Sequence, residues 1–226
     1  MTPLQQDVAR KSASLAPLAR RVVRQPELLP EVFAGLAAQS ARTKYGCLRL
    51  LRLLSETRPE FLYPEINRFI ELLDDKNQIL QWGAIIMLGN LAAVDVDGRI
   101  EGKLGRYLRP ISGPVMITAA NVIRGAGKIA RAKPPLADRI ARALLRVEAA
   151  HYQTTECRNV AVGHAIESLE SFFALVRRPQ PVVDFVWRQL DNPRSAVKRK
   201  AAKFLKQHSS EPKRAGRPGK KTADPS

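Results

Sequence analysis

The sequence predicts an all-α protein, a right-handed solenoid built from about five stacked helix pairs. Three observations lead to this fold class. Apolar residues recur at the helical period almost from end to end of the 226 residues, and no segment alternates as a strand would. Five segments resemble one another and begin 36 to 40 residues apart. Hydrophobic residues make up 45% of the chain, enough for a packed core.

The five similar segments are predicted to be the second helix of each pair. They begin at Tyr45, Trp82, Ala120, Val160 and Ala196. Their seventh residues are Leu51, Leu88, Ala126, Ile166 and Ala202, and their tenth residues are Leu54, Leu91, Ile129, Leu169 and Leu205. Because residues three apart share one side of a helix, these positions form the predicted buried stripe.

Each second helix follows another amphipathic stretch, and these stretches predict the first helices. Their approximate ranges are 28–39, 60–73, 98–108, 135–149 and 181–190. Prolines such as Pro59 and Pro134 stand near the starts of these ranges, where a missing N–H has little effect. The residues Asp95, Asp97 and Gly98 indicate a turn between two helices.

These elements divide the chain into three parts. Residues 1–24 are predicted to hold an N-terminal capping helix, over about 8–24, and residues 25–208 the repeat domain. Residues 209–226 are rich in Pro, Gly and Lys and lack apolar periodicity, so they are predicted to form a disordered basic tail.

The second helices resemble those of the HEAT/armadillo-like helical repeat superfamily. The resemblance rests on their small and apolar residues, most clearly in WGAIIMLGNLAAVD from Trp82 and TAANVIRGAGKIA from Thr118. It implies an α-solenoid that presents a concave groove to proteins or nucleic acid. One branch of the superfamily is the DNA alkylation-repair glycosylases. The chain shows no local match to the catalytic signature of that branch, so no residue is carried over from it.

The charge distribution predicts an anionic partner. The chain carries 38 Lys and Arg against 21 Asp and Glu, a net charge of +17. Residues 194–226 contain 11 basic and two acidic residues, whereas residues 59–193 contain 17 and 15. A basic end on a nearly neutral body favours nucleic acid, and a merely solvated charged surface is the alternative. An anionic membrane surface is a weaker alternative, because no amphipathic helix with exposed bulky apolar residues is evident.

The cysteines and the apolar runs predict a cytoplasmic protein. Two cysteines, Cys47 and Cys157, are too few for a disulfide-stapled secreted scaffold. They lie three repeats apart and are expected to be small buried thiols. No apolar run reaches the roughly 18 residues of a membrane span. Charges interrupt every apolar stretch near the N-terminus, unlike a signal peptide.

Basic side chains are expected to form a ridge along the second helices. The fifth residues of the five segments are Arg49, Ile86, Arg124, His164 and Lys200. Equivalent positions line up in stacked repeats, and such a ridge would neutralise phosphates. Composition alone is the alternative explanation. The candidate nucleic-acid-binding residues are Arg49, Arg52, Arg124, Lys128, Arg131, Lys198, Lys200, Lys203, Arg214, Arg217, Lys220 and Lys221.

No catalytic residue, metal site or cofactor is predicted, because the common motifs for them are missing from the sequence. His164 and Glu167 are expected to be a polar pair at a repeat junction. Asp95 and Asp97 are expected to lie in a turn that caps the following helix rather than to bind a cation. Trp82, Tyr45 and Trp187 are expected in the core, with a base or partner contact by Trp82 as the alternative. The amides expected to tie adjacent layers are Asn90, Asn121 and Asn159.

The sequence therefore predicts a non-enzymatic scaffold whose groove and basic C-terminal end bind an acidic partner, with nucleic acid the leading candidate. A glycosylase-like repair enzyme on the same scaffold and a purely protein–protein adaptor are the alternatives. Glycosylase chemistry requires a groove carboxylate, and among the first ten positions of the first four second helices only Glu167 supplies one. No membrane and no small-molecule substrate are indicated, and the oligomeric state is left open.

The tail resembles an AT-hook, whose core is Arg-Gly-Arg-Pro. Gly216, Arg217 and Pro218 match this core, while Ala215 stands where the hook has its first arginine. The resemblance implies that Arg217 enters the narrow minor groove of A·T sequences. The alternative is an arm that binds polyanions without sequence preference. Only the hook predicts tighter binding to A·T than to G·C duplexes.

Overall fold

The computed structural model describes residues 2–10 and 14–208, and every regular element in these two ranges is helical. The α-helices, in chain order, are α1 (Pro3–Ala9), α2 (Leu15–Arg24), α3 (Leu29–Gly35), α4 (Ala41–Thr57), α5 (Pro59–Leu62), α6 (Ile66–Glu71), α7 (Gln78–Leu91), α8 (Arg99–Gly102), α9 (Leu104–Leu108), α10 (Met116–Ala132), α11 (Ala137–Leu145), α12 (Thr155–Glu170), α13 (Gln180–Arg188) and α14 (Ser195–His208). Short 3₁₀ turns join or extend many of them. The all-α prediction is confirmed.

The predicted second helices are α4, α7, α10, α12 and α14, and each packs against the next, so that each repeat forms one layer of the solenoid. The shorter helices α3, α6, α11 and α13 pack against this row of second helices. The predicted stripe is confirmed, since each of seven side chains is at most 1% exposed. These are Leu51, Leu54, Leu88, Leu91, Ile129, Ile166 and Leu169. Burial of this continuous stripe is the main stabilising contribution of each layer.

Two of the predicted first helices are interrupted. The range 60–73 is divided into α5, a 3₁₀ turn over Tyr63–Glu65 and α6. Pro64 lies in this turn and has no N–H to continue the α-helical ladder. The range 98–108 is divided at Lys103, whose N–H bonds to the carbonyl of Ile100 three residues earlier. A weak helix former, Gly102, precedes that break.

The N-terminal cap consists of two helices, α1 and α2, instead of one helix over 8–24. Thr2 and Gln5 form a capping box at the start of α1. At the other end of α1, the N–H of Arg10 bonds to the carbonyl of Asp7. Helix α1 lies so close to α4 that a Cβ atom on Gly46 would collide with the carbonyl of Val8.

The last repeat is displaced by one residue from the predicted alignment. Ala202, the seventh residue of that segment, is exposed, whereas Ala201 and Phe204 are fully buried. The buried stripe of α14 therefore runs through Val197, Ala201 and Phe204, although Leu205 is also buried. Small or apolar residues occupy both the predicted positions, Ala202 and Leu205, and the positions one residue earlier, Ala201 and Phe204. The sequence pattern alone therefore did not determine which side of α14 is buried. The tail over 209–226 lies outside the described residues.

Hydrogen bonds and ion pairs between repeats tie the layers together. The hydroxyl of Tyr107 donates to the carbonyl of Ile85 at 3.0 Å, and the hydroxyl of Ser168 donates to the carbonyl of Ile123 at 2.8 Å. Each bond satisfies a polar group that packing removes from water. On the first-helix side, both Arg106 and Arg109 lie 2.7 Å from the carboxylate of Asp74. Arg188 and Glu148 form a two-bond pair at 2.9 and 2.7 Å.

Candidate anion-binding surface

The exposed side of α4, α7, α10, α12 and α14, hereafter the second-helix face, carries a compact basic group on α10. Arg124, Lys128 and Arg131 are exposed, while Val122, Ile123, Ala126, Ile129 and Ala130 between them are buried. The spacing i, i+4, i+7 places the three cations on one side of the helix, over about 10 Å of its length. We call these three residues the α10 cation row.

A chain of polar side chains joins the α10 cation row to the two preceding layers. Lys128 Nζ donates to Asn90 Oδ1 at 2.5 Å, and Asn90 Nδ2 donates to Ser55 Oγ at 2.9 Å. Asn90 thus ties three layers, as expected of it. A shallow depression of about 580 Å³ lies beside this chain and is lined in part by Glu56 and Arg131. The ammonium of Lys128 is held in place without being neutralised, because its partner is an amide.

Asn159 also ties neighbouring elements together. Its Oδ1 accepts a hydrogen bond from Asn192 Nδ2 at 3.3 Å, and Asn192 donates in turn to Gln189 Oε1 at 3.0 Å. All three amides are buried. Buried amides require partners, and this group connects α12 with the turn that precedes α14. Asn121 is half-buried, and its predicted role stays a prediction.

A mixed-charge cluster joins α12 to α14. Glu167 Oε1 accepts from Lys200 Nζ at 2.8 Å, and His164 Nδ1 lies 3.6 Å from Glu167 Oε2. Burial lowers the pKa of His164, and the positive charges of Arg124 and Lys200 lower it further against the opposing effect of Glu167. His164 is therefore neutral near pH 7. The structure brings Arg124, His164 and Lys200 of the predicted ridge together.

The carboxylate of Glu167 stays ionised in this cluster. Burial alone would raise its pKa, but the hydrogen bond and positive charge of Lys200 outweigh burial and lower the pKa below its ordinary value. Glu167 therefore offsets part of the positive charge that the ridge was expected to present. The expected polar pair of His164 and Glu167 is present and includes Lys200 as a third member.

Ion pairs also engage other predicted cations. Lys203 lies 3.0 Å from Glu170, and Arg52 lies 3.2 Å from Glu56. By contrast, Arg49, Arg124, Arg131 and Lys198 form no ion pair with any residue that the structure describes. Exposed ion pairs are weak, so the paired cations can still exchange their carboxylate for another anion. Until they do, each pair contributes less positive charge to the surface than a cation without an ion pair.

The predicted ridge is divided into two patches. Helix α7 contains no Lys or Arg, and its fifth position, Ile86, is half-buried. Arg49 and Arg52 on α4 are thus separated by a neutral helix from Arg124 on α10. Four further candidates, Arg214, Arg217, Lys220 and Lys221, lie outside the described residues. Whether any of these cations contacts nucleic acid stays a prediction.

Aromatic and apolar side chains occupy the N-terminal ends of the second helices. Trp82 is half-buried against the core and donates from Nε1 to Thr118 Oγ1 at 2.8 Å. Tyr45 also packs on the core, and its hydroxyl accepts from Asn77. The prediction is wrong for Trp187, which is 41% exposed because α13 directs Val182, Phe185 and Val186 into the core instead. Two exposed side chains were missed by the sequence analysis: Ile79, 41% exposed, and Ile117, 49% exposed. Both stand three residues before the first aligned position, so extending the repeat alignment backwards would have found them.

The residues that the glycosylase alternative needs do not converge. Trp82 bonds to Thr118 on α10, whereas Glu167 bonds to Lys200 on α14. Helix α10 lies between α7, which carries Trp82, and α12, which carries Glu167. Among the described residues, no group of three or more His, Cys, Asp or Glu side chains is placed to hold a metal ion. The enzyme alternative stays a prediction without support from this geometry.

The two thiols differ in exposure. Cys47 is buried, which confirms the expectation, and burial raises its pKa to about 11. Such a thiol stays protonated at neutral pH and is a poor nucleophile. The expectation is not met in full for Cys157, which is only half-buried because it lies near the start of α12. None of the helices within the described ranges is both long and apolar enough to cross a bilayer.

Comparison with known proteins shows the fold alone. No protein-family model matches the chain, and no curated protein matches it in sequence. The designed armadillo repeat protein YIII(Dq)4CqI aligns with a TM-score of 0.59 and 16% identity, over 90% of this chain and 89% of its own. An engineered protein aligns with a TM-score of 0.60 and 14% identity, over 90% of this chain and 52% of its own.

A third similar structure was solved with a ligand. The designed armadillo repeat protein YIII(Dq.V1)4CPAF, in complex with the peptide (KR)4, aligns with a TM-score of 0.54 and 14% identity, over 90% of this chain and 89% of its own. These three likenesses, together with the helical layers, show an armadillo-like helical repeat fold.

Proposed function

We propose that this chain is a non-enzymatic repeat scaffold that binds an acidic partner on the second-helix face, with nucleic acid the leading candidate. The α10 cation row is the observation that carries the proposal. Its three exposed cations are spread over about 10 Å of helix and have no carboxylate partner among the described residues. Cations at this spacing can neutralise neighbouring phosphates of one strand.

The C-terminal end supports the same partner. On α14, the exposed side chains of Lys198, Arg199 and Lys206 form no ion pair within the described part of the chain. The sequence then continues into the basic residues 209–226. A strongly positive end raises the rate at which a polyanion is captured, and contacts on the second-helix face would then fix its position.

An adaptor for an acidic peptide is the second candidate. The exposed Ile79 and Ile117 stand at equivalent positions on the adjacent helices α7 and α10, and they offer apolar contacts that a phosphate backbone does not need. One structure of similar fold was solved with the basic peptide (KR)4. Because the second-helix face of this chain is basic, a peptide bound there would be acidic.

The experiment compares two variants of equal charge. Fluorescence anisotropy is measured with a labelled duplex DNA at several salt concentrations, for the wild type and for the triple variant Arg124→Ala, Lys128→Ala, Arg131→Ala. The control triple variant is Lys103→Ala, Arg142→Ala, Arg177→Ala, which removes three exposed cations away from the second-helix face. The α10 variant is expected to bind more weakly and to lose about 0.9 in salt slope per lost phosphate contact.

Equal weakening by the two triple variants would contradict the proposal, because only total charge would then matter. A labelled polyglutamate peptide replaces the DNA in a parallel titration, and tighter binding of that peptide would favour the adaptor. Deletion of residues 209–226 tests the tail with A·T and G·C duplexes. If the tail is an AT-hook, the wild type is expected to prefer A·T duplexes, and Arg217→Ala is expected to lose that preference. Equal binding of the wild type to both duplexes would indicate a tail that binds by charge alone.

A further inference from the structure

The N-terminal cap holds a pocket that the sequence analysis did not predict. It lies between α2 and the C-terminal half of α4 and has a volume of about 450 Å³. Its floor is aliphatic and is formed by Ala19 and Val23 from α2 and by Leu53 and Leu54 from α4. Val23 and Leu53 are only half-buried, so apolar surface faces the opening. A pocket of this size and lining is suited to an apolar group.

Three arginines surround the opening. Arg20 and Arg24 stand one turn apart on α2, and Arg58 stands on the opposite wall, at the end of α4. All three are exposed, no carboxylate lines the pocket, and none of the three forms an ion pair within the described residues. Unpaired guanidinium groups on two facing walls favour a ligand that carries anionic groups on both sides of an apolar group.

We infer that this pocket docks an acidic peptide segment of a partner protein, which inserts one large aliphatic side chain flanked by carboxylates. The aliphatic side chain covers the floor, and the carboxylates before and after it in the peptide pair with the arginines of the two walls. The inference goes beyond the proposed function, because the pocket shares no residue with the α10 cation row.

Other occupants fit the pocket less well. A nucleobase would need an aromatic side chain to stack on, and none lines the pocket. A fatty acid has a single carboxylate and would leave the arginines of one wall unpaired. The chain's own segment 209–226 is basic and would be repelled. A second copy is disfavoured by the net charge of +17 that each copy carries.

The test uses two labelled peptides and the full-length protein. The leucine probe contains Glu-Glu-Leu-Glu-Glu between glycines, and the serine probe replaces the leucine and keeps the charge. The leucine probe is expected to bind about tenfold more tightly than the serine probe, because only leucine loses apolar surface to the pocket. In the wild type, hydrogen exchange is expected to slow in α2 and at the end of α4 when the leucine probe is added.

Variants then separate the two parts of the pocket. The double variant Arg20→Gln, Arg58→Gln is expected to weaken both probes about tenfold, since each loses charge-assisted pairs. Leu53→Gln is expected to weaken only the leucine probe. The control Lys103→Gln, Arg142→Gln removes the same charge elsewhere and is expected to leave both affinities unchanged. Thermal unfolding of each variant is measured as a check on the fold, which is expected to be preserved because the substituted side chains are exposed or half-buried.

Four results would overturn the inference. Equal binding of the two probes would show plain charge attraction, and absence of binding would show that the arginines only offset the negative ends of the α2 and α4 helix dipoles. Displacement of the leucine probe by duplex DNA would assign the arginines to the nucleic-acid surface. Tighter binding of dodecanoate than of the leucine probe would assign the pocket to an amphiphile. Loss of DNA binding in the α10 triple variant, with the leucine probe unaffected, would keep the two sites distinct.

Discussion

Asp95 is a buried side chain that connects several elements. It is 2% exposed, and its carboxylate accepts from the N–H of Arg99 at 2.9 Å and of Ile100 at 3.2 Å, which are the first donors of α8. It also accepts from the hydroxyl of Tyr63 at 3.0 Å and lies 3.4 Å from Lys133 Nζ. This confirms the expectation that Asp95 caps the following helix, and the contacts extend over three repeats.

Replacing Asp95 with Ala is expected to lower the free energy of unfolding by about 3 kcal/mol, because the N–H groups of Arg99 and Ile100 and the hydroxyl of Tyr63 lose their acceptor, and the ammonium of Lys133 keeps only the backbone carbonyl of residue 95. Urea denaturation measures the change. Asp97→Ala is the matched control: Asp97 lies in the same turn but is exposed, and its pair with Arg99 is worth less than about 0.5 kcal/mol. Similar losses in the two variants would contradict this account of the turn.

His164 is expected to make the stability depend on pH. Burial, Arg124 and Lys200 lower its pKa in the folded state, whereas the unfolded chain keeps the ordinary value of 6.5. As the pH falls through 6.5, the unfolded state takes up the proton first, so stability decreases from about pH 7 downwards until the folded-state pKa is passed. The effect of Glu167 falls outside this window, since its pKa lies below 4.5 and its contribution is lost only in stronger acid.

The measurement is the urea midpoint of the wild type and of His164→Gln at pH 8 and pH 5.5. The wild type is expected to lose more stability between these values than the variant, because glutamine does not titrate. The carboxylates and the other two histidines are common to both proteins and cancel in the comparison. An identical loss in the two proteins would show that His164 is not responsible.

At the scale of the elements, the contact between α7 and α10 depends on two glycines. A Cβ atom on Gly89 would stand 3.0 Å from the Cα of Gly125, tighter than most Cβ contacts in packed proteins, so the backbone of α10 would have to move away. The absence of a side chain at Gly89 lets the two helices approach closely enough for Lys128 to reach Asn90, whereas the absence of one at Gly125 leaves room for the hydroxyl of Tyr107. The small residues that the sequence analysis took as a sign of tight packing are thus required at this contact.

Gly89→Ala is expected to destabilise the protein by about 1–2 kcal/mol, because forcing the helices apart costs more than the gain in helix propensity. The control is Gly102→Ala at the end of α8, where a new Cβ atom meets nothing within 4 Å. It is expected to be neutral or slightly stabilising in the same thermal unfolding experiment. A Gly89→Ala variant as stable as the wild type would mean that the two helices can separate freely.

At the scale of the whole molecule, each layer depends mainly on its neighbours, as expected of a repeat solenoid. Helix α14 packs against α12 and α13 and ends the described part of the chain. Phe204 is fully buried there, with its ring 4.9 Å from that of Phe173 and 4.7 Å from that of His208. Leu88, by contrast, lies on α7, which packs between α4 and α10.

Phe204→Ala is expected to cost about 3–5 kcal/mol locally and to open α13 and α14 while α4, α7 and α10 keep their slow amide exchange. Leu88→Asp places an unpaired charge in a central layer and is expected to prevent folding altogether. Hydrogen exchange resolved by segment distinguishes the two effects. Uniform loss of protection in Phe204→Ala would show that the layers unfold as one unit.

The sequence by itself determined the helical layers, the seven buried positions of the stripe and the α10 cation row. Each of these depends on residues three, four or seven apart on one helix, and that spacing is a local property readable along the chain. The same argument failed for α14, where small residues at neighbouring positions left the buried side of the helix undetermined. It also failed for the interrupted first helices, where a proline or a glycine broke the α-helical hydrogen bonding.

Only the tertiary structure decided which side chains from different layers meet. The cluster of His164, Glu167 and Lys200 and the arginines of the N-terminal pocket join residues more than thirty positions apart. Their contacts depend on how far each helix is shifted and rotated against the next, which is set by the close packing of small residues such as Gly89 and Gly125. Periodicity places a side chain on a face of its own helix, and packing alone selects its partner on the next.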